Sequence, residues 1–303
     1  MVYSPFPPAQ FMGLGVALVT PFLVDGQVDY QSLGAIVRNI VASKADFIVV
    51  FGTTGESPVV TREEVEKVLS AVRREAGPNY PIVLGLGDNS TQRLIERLSL
   101  ANSYDIQGIL SVVPYYNKPS QEGIYQHFSA AAQTSDKPII LYNIRGRTGV
   151  DMDPDTVLRL RNNFPDKIVA IKEASGIEER VTKLASLLDP AFTILSGDDH
   201  STLELIHQGA NGAVSVVANA YPAWTKELID LAGSERAVEI DNAFAACYRL
   251  LFEEGNPAGI KEWLYKMQLI NTPTLRLPLT RVSDKLSQKM EQSIDTLMKL
   301  GAH

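Results

Sequence analysis

The chain has a single cysteine, Cys247, in 303 residues. That excludes an internal disulfide and a thiolate metal cluster. Cys247 falls in a helical pattern over 243–251 and is expected to be a packed, inert thiol. Histidine is also scarce, and His127, His200, His207 and His303 show no metal-ligand spacing. No apolar run reaches the roughly 18 residues of a membrane span. Residues 1–10 hold three prolines and no basic stretch followed by an apolar one, so a signal peptide is not expected. Positive charge is in deficit, with 28 Lys and Arg against 35 Asp and Glu, a net −7. This argues against nucleic acid or an anionic membrane as partner. A cytoplasmic protein is expected.

Apolar material is ample. Hydrophobic residues make up 45% of the chain, enough for a sizeable core. The length suits one large α/β barrel or two ordinary domains. Apolar β-rich runs appear at 13–21, 47–52, 81–87, 108–114, 138–143, 168–175, 192–197 and 212–217. They are near-continuous, as in strands covered on both faces. Helical stripes lie between them. Val65, Val68, Leu69 and Val72 form one, with capping-box spacing at Thr61-Arg62-Glu63-Glu64. Ile124, Phe128 and Ala131 form another, and Ile177, Val181, Leu184 and Leu188 a third. Eight such units predict an α/β fold, a (β/α)8 TIM barrel. An open doubly wound sheet would carry a glycine-rich loop after its first strand. Here that position reads Thr20-Pro21-Phe22, so the barrel is preferred. The expected organisation is a tail over 1–12, the barrel over 13–234 and a helical C-terminal appendage over 235–303. Helices are predicted there at 235–255, 258–269 and 282–300, as an oligomerisation element.

One strand carries a lysine in its middle: Ile168-Val169-Ala170-Ile171-Lys172-Glu173-Ala174-Ser175. Side chains alternate along a strand, so Lys172 shares a face with Ala170 and Ala174. The two methyl groups leave room beside the amine for a small molecule. An unperturbed lysine is neutral in only about 1 molecule in 2,500 at pH 7. Burial lowers its pKa and frees the neutral amine to attack a carbonyl, giving a Schiff base. Taken alone, a lysine snorkelling to water is the commoner reading. The rest of the chain reverses it.

In such barrels chemistry sits at the C-terminal ends of the strands, where the polar residues collect. The second strand ends in Gly52-Thr53-Thr54-Gly55-Glu56-Ser57, whose exposed N–H groups and hydroxyls suit a carboxylate. The fourth ends in Pro114-Tyr115-Tyr116-Asn117, the fifth in Tyr142-Asn143 followed by Arg145-Gly146-Arg147-Thr148-Gly149. Tyrosines there could pass a proton, and an arginine could fork onto a carboxylate. For each alone, ordinary packing of the tyrosine or a surface ion pair of the arginine is the commoner reading. The seventh strand ends in Ser196-Gly197-Asp198-Asp199. The two aspartates face opposite ways and read as loop and helix-cap residues, not a metal site.

In their order and spacing these motifs resemble the dihydrodipicolinate synthase and N-acetylneuraminate lyase family of pyruvate-dependent class I aldolases. The resemblance runs from about Gly13 to Leu300. It is carried by Gly52-Thr53-Thr54-Gly55-Glu56-Ser57, Tyr142-Asn143, Ile171-Lys172-Glu173 and Gly197-Asp198-Asp199. Pro114-Tyr115-Tyr116-Asn117 and Arg147-Thr148-Gly149 favour the branch that joins pyruvate to L-aspartate 4-semialdehyde over the sialic-acid and sugar-acid lyases. The resemblance implies that Lys172 forms the Schiff base and that Tyr142 moves protons, with Thr53 and Tyr116 completing the relay. Tyr116 would come from a neighbouring subunit of a homotetramer built as a dimer of dimers. Thr54, Gly197 and the main chain at Val214 would hold pyruvate, and Arg147 the carboxylate of the second substrate. No metal or organic cofactor is implied. Arg145 stands where members usually carry proline. Lysine-sensitive members carry two histidines and a glutamate where this chain has Arg62, Val65 and Arg93, so feedback by lysine is expected to be weak or absent. A 2-keto-acid sensor on the same barrel would need no Lys172 together with Tyr142.

Overall fold

The structure is a computed structural model that describes residues 10–302. The expected tail therefore lies, over 1–9, outside the described residues, as does His303. Eight strands are found where the apolar runs predict them: β1 Gly13–Ala17, β2 Phe47–Val50, β3 Ile82–Gly85, β4 Gly108–Val112, β5 Ile139–Asn143, β6 Ile168–Glu173, β7 Thr193–Ser196 and β8 Gly212–Ser215. They close into one barrel in sequence order, and the pairings are parallel. Helices separate them: α1 Tyr30–Ala42, α2 Arg62–Ala76, α3 Thr91–Ala101, α4 Gln121–Thr134, a single turn α5 Arg145–Thr148, α6 Pro154–Asn163, α7 Glu179–Leu187 and α8 Thr202–His207. After the last strand come α9 Pro222–Asp230, α10 Glu235–Phe252, α11 Ala258–Lys266 and α12 Asp284–Lys299. This is the expected TIM barrel followed by helices.

The described residues form two compact units, 10–12 with 82–214, and 13–81 with 215–302. In the first, the middle strands are buried at every position of β3, β5, β6, β7 and β8. That burial is why their sequences run apolar without alternation. Ile124, Phe128 and Ala131 of α4 are buried as their spacing predicts. The stripe before β7 needs correction. Helix α7 begins at Glu179, so Ile177 precedes it and is exposed, while Val181 and Leu184 are buried. Gly176, at φ +76, turns the chain there, and a turn in the left-handed region breaks the helical repeat.

In the second unit, β1 pairs with β2 in the register Gly15↔Phe47. Helix α2 starts with the capping box formed by Thr61 and Glu64, worth about 1 kcal/mol. Val68, Leu69 and Val72 are buried along it, and Val65, in the first turn, is only half-buried. The C-terminal helices bury a cluster in which the Trp263 indole N–H donates to the Tyr221 hydroxyl at 3.2 Å and the Phe244 ring lies 5.5 Å from that of Tyr221. Cys247 is buried in α10, as expected.

Candidate active site

Strand β6 presents a lysine in a core setting. All six of its residues are buried, and Lys172 is 5% exposed. On one side it is in register with Tyr142 of β5, on the other with Leu195 of β7. Lys172 Nζ lies 4.5 Å from the centre of the Tyr142 ring, itself buried. The amine therefore sits over the face of the ring.

The space beside the lysine is set by Gly197. Its N–H donates to the Glu173 carbonyl at 2.8 Å. A methyl group at Gly197 would come within 2.9 Å of Lys172 Cε and 2.6 Å of Ala174 Cβ. Only glycine leaves the lysine stem its place. Ala174 lies just past the end of β6, not inside it as its apolar run suggests, with its N–H bonded to the Asn143 carbonyl at 2.9 Å. Val214 is buried in β8, where Ala213 is in register with Ser196. Asp198 caps the turn over 199–201, accepting from the His200 N–H at 3.3 Å. Among the described residues no group of three or more His, Cys, Asp or Glu side chains could hold a metal ion.

Two turns stand above β4 and β5. Arg147 is exposed on the single turn α5, which Gly149 closes in the left-handed region at φ +71. The Thr148 hydroxyl ties the turn together by donating to the carbonyls of Ile144 at 3.0 Å and Val150 at 2.9 Å. Arg145 takes the first position of this turn. That position suits proline, because its N–H has no partner within the turn. The departure from proline therefore keeps the turn. The Tyr116 N–H donates to the Thr148 carbonyl at 3.3 Å, so the two turns are bonded to each other. Tyr116 itself is 87% exposed, at φ +74. A tyrosine in the left-handed region costs roughly 1–3 kcal/mol. Asn89 and Asn117 support the strained turn, through bonds to the carbonyls of Tyr115 at 3.2 Å and Asn89 at 2.9 Å respectively.

Thr53 and Thr54 belong to the other unit. They form a tight turn over 53–55, followed by Glu56 in the left-handed region at φ +55. The N–H groups of Gly55 and Glu56 are used inside this turn, bonded to Gly52 and Thr53 carbonyls at 3.0 and 3.1 Å. These two N–H groups are spent within the turn. The Thr54 hydroxyl is buried and accepts from Asn256 Nδ2 at 2.9 Å. Below it, Glu56 and Lys261 form an ion pair with both side chains fully buried. Burial holds the Lys261 ammonium down at about 8, against the pull of Glu56. Arg276 completes the support, donating its backbone N–H to Glu56 at 3.1 Å and its guanidinium to Glu64 at 2.5 and 2.8 Å. Hydrogen bonding to Arg276 holds the Glu64 carboxyl at about 2.

The dihydrodipicolinate synthetase family model matches residues 10–297. The chain belongs to this family. Among curated members it is 46% identical, over 92% of this chain and 95% of the relative, to a 4-hydroxy-tetrahydrodipicolinate synthase of Porphyromonas gingivalis. It is 45% identical to that of Parabacteroides distasonis, over 88% and 90%. The 4-hydroxy-tetrahydrodipicolinate synthase structure of Methylacidiphilum fumariolicum superposes with a TM-score of 0.91 at 36% identity, covering 96% of this chain and 98% of that one. A structure described as the first monomeric dihydrodipicolinate synthase variant also matches, with a TM-score of 0.90 at 35% identity, covering 94% and 96%.

Within this family member, the structure brings Lys172, Tyr142 and Gly197 together and bonds the Tyr116 turn to the Arg147 turn. Of the polar groups behind them, Asp151 and Arg180 were not singled out from the sequence, and Asn143 and Glu173 were read only as parts of motifs. Asn143, Asp151, Glu173 and Arg180 form one buried or half-buried cluster. The one available signal was Glu173, placed by strand alternation on the face opposite Lys172, where a lone buried carboxylate needs partners.

Proposed function

We infer that this chain condenses pyruvate with L-aspartate 4-semialdehyde, the 4-hydroxy-tetrahydrodipicolinate synthase reaction of lysine and diaminopimelate biosynthesis. The observation that carries the reading is Lys172, a buried amine beside a buried tyrosine, with Gly197 keeping its stem clear. In this mechanism the neutral Lys172 amine adds to the pyruvate ketone carbon and water leaves. The protonated imine draws electrons, C3 loses a proton and an enamine forms. The enamine carbon attacks the aldehyde, whose oxygen takes up a proton. The amino group of the second substrate then adds to the imine carbon, closing the ring and expelling Lys172. Each step moves a proton, the work we assign to the Tyr142 hydroxyl.

The remaining assignments rest on the family resemblance. Thr53 and Tyr116 extend the relay. Thr54, Gly197 and the main chain at Val214 hold pyruvate, and Arg147 takes the carboxylate of the aldehyde. No cofactor enters, because the imine is the electron sink. We propose a homotetramer, a dimer of dimers, in the cytoplasm. The exposed and strained Tyr116, with half-exposed Tyr115 beside it, supports a role at a subunit contact. We also take 13–234 as the catalytic barrel and 235–303 as its helical appendage.

Steady-state assays of the purified chain test the reading. Turnover of pyruvate with L-aspartate 4-semialdehyde is expected. Faster cleavage of N-acetylneuraminate or of a 2-keto-3-deoxy sugar acid would place it on the other branch. Binding of pyruvate without turnover of any of these would make it a sensor. Sedimentation should show tetramers, and a fully active monomer would refute the assembly.

A further inference from the structure

Alternation along β5 and β6 places Tyr142 and Lys172 on one face, and Asn143 and Glu173 on the other. Asn143 and Glu173 are in register and fully buried. The Glu173 carboxylate accepts from Asn143 Nδ2 at 3.1 and 3.2 Å, from the Ser175 N–H at 2.8 Å and from Arg180 Nε at 3.2 Å. Asn143 also reaches across to the segment that follows the Arg147 turn. Its Nδ2 donates to Asp151 at 2.7 Å, and its Oδ1 accepts from the Met152 N–H at 3.0 Å. Arg180 spans the same gap. Its Nη1 pairs with Asp151 at 3.4 Å, and its Nη2 donates to the Met152 carbonyl.

We propose that Arg180 is a positioning residue for second-substrate binding, holding the end of the Arg147 turn, through Asp151 and Met152, against Glu173 behind the Schiff-base lysine. The proposal rests on the reading that Arg147 binds the aldehyde's carboxylate. One buried guanidinium faces two carboxylates. Without it, Glu173 and Asp151 share a single amide, and like charges in a buried site repel. The 144–152 segment would then be held less tightly at its far end, by Asn143 and by Gln121, whose Nε2 donates to the Asp151 carbonyl at 2.7 Å, while Ile144 stays tied to β5. Lys172 would hold its place, because its register is fixed by β5 on one side and β7 on the other. The cluster therefore couples the second-substrate turn to the strand without being needed to keep the amine in the barrel.

Arg180→Met and Asp151→Asn test this, with Arg180→Lys as the conservative partner. Misplacement of Arg147 should raise the KM for L-aspartate 4-semialdehyde roughly ten- to hundredfold, and that for pyruvate less than about twofold. Borohydride trapping of pyruvate on Lys172 should persist, amide exchange over 144–152 should quicken, and Arg180→Lys should recover part of the loss. If Arg180→Met does not fold, Asp151→Asn decides, because it severs only the ion pair to the turn. Equal shifts in both KM values, or none in a folded variant, would overturn the proposal. Arg147→Ala is run alongside. If it leaves the aldehyde KM unchanged, the reading of Arg147 fails. If it raises that KM while Asp151→Asn and Arg180→Met quicken exchange without raising it, the positioning role alone fails.

Discussion

The Lys172 amine lies 4.5 Å from the centre of the Tyr142 ring, and the two residues are register partners on adjacent strands. The ring is fixed by the barrel, so its hydroxyl can be removed without moving the lysine. Tyr142→Phe should therefore keep pyruvate trapping and lower kcat by roughly 10²–10⁴-fold, the range for losing a general acid–base group. Near-normal kcat would remove Tyr142 from the proton relay.

Gly197→Ala tests the space beside the amine. The new methyl group would sit 2.9 Å from Lys172 Cε and 2.6 Å from Ala174 Cβ, and overpacking of this kind costs about 1–3 kcal/mol. The Lys172 stem is the group most able to give way. The variant should fold, with a modestly lowered melting temperature, and should trap pyruvate far more slowly than the parent. Unchanged trapping would show that the lysine does not depend on Gly197.

Weak inhibition by lysine is expected from Arg93. Its guanidinium turns toward Asn89, a residue that the family resemblance implies lies beside the lysine-binding region of lysine-sensitive members. Nη2 donates to Asn89 Oδ1 at 3.0 Å, and Nε to Asp88 at 3.0 Å. The pairing with Asp88 reduces the repulsion an ammonium group would meet, yet the Asn89 oxygen is already occupied. Steady-state assays in millimolar lysine should show little loss of rate. Strong inhibition below millimolar concentration would refute this, and Arg93→Glu should increase sensitivity.

Acid should weaken the fold through His127. Burial holds its imidazole down at about 4, while Nδ1 shares a hydrogen bond with the Thr91 hydroxyl at 2.9 Å. The ordinary value is 6.5, so between these limits the unfolded chain takes up a proton that the folded chain refuses. Above pH 6.5 the group contributes nothing. As pH falls toward 4 stability is lost, by about 2 kcal/mol at pH 5. Urea midpoints at pH 7 and pH 5 should therefore differ less in His127→Gln than in the parent, and an equal difference would contradict the assignment.

Eight strands were legible because burial on both faces makes each one an apolar run. Their ends were not, because apolar residues continue past the hydrogen-bonded ladder. Leu18 and Val19 are buried beyond the end of β1, and Ala174 lies beyond β6. Lys172 was legible as a charge inside such a run. Arg180 and Lys261 were not, since each is an ordinary charged residue in a helix until its carboxylate is known. Lys261 meets Glu56 across 205 positions of chain, and periodicity carries no trace of that. Of the N–H groups read into 52–57, those of Gly55 and Glu56 are spent inside the turn. A tight turn consumes its own donors.

The most direct test of the account is borohydride reduction of the chain with pyruvate, followed by peptide mass spectrometry. One pyruvate-derived adduct is expected, on Lys172, and none in Lys172→Ala. An adduct on another lysine, or trapping that survives in Lys172→Ala, would contradict it.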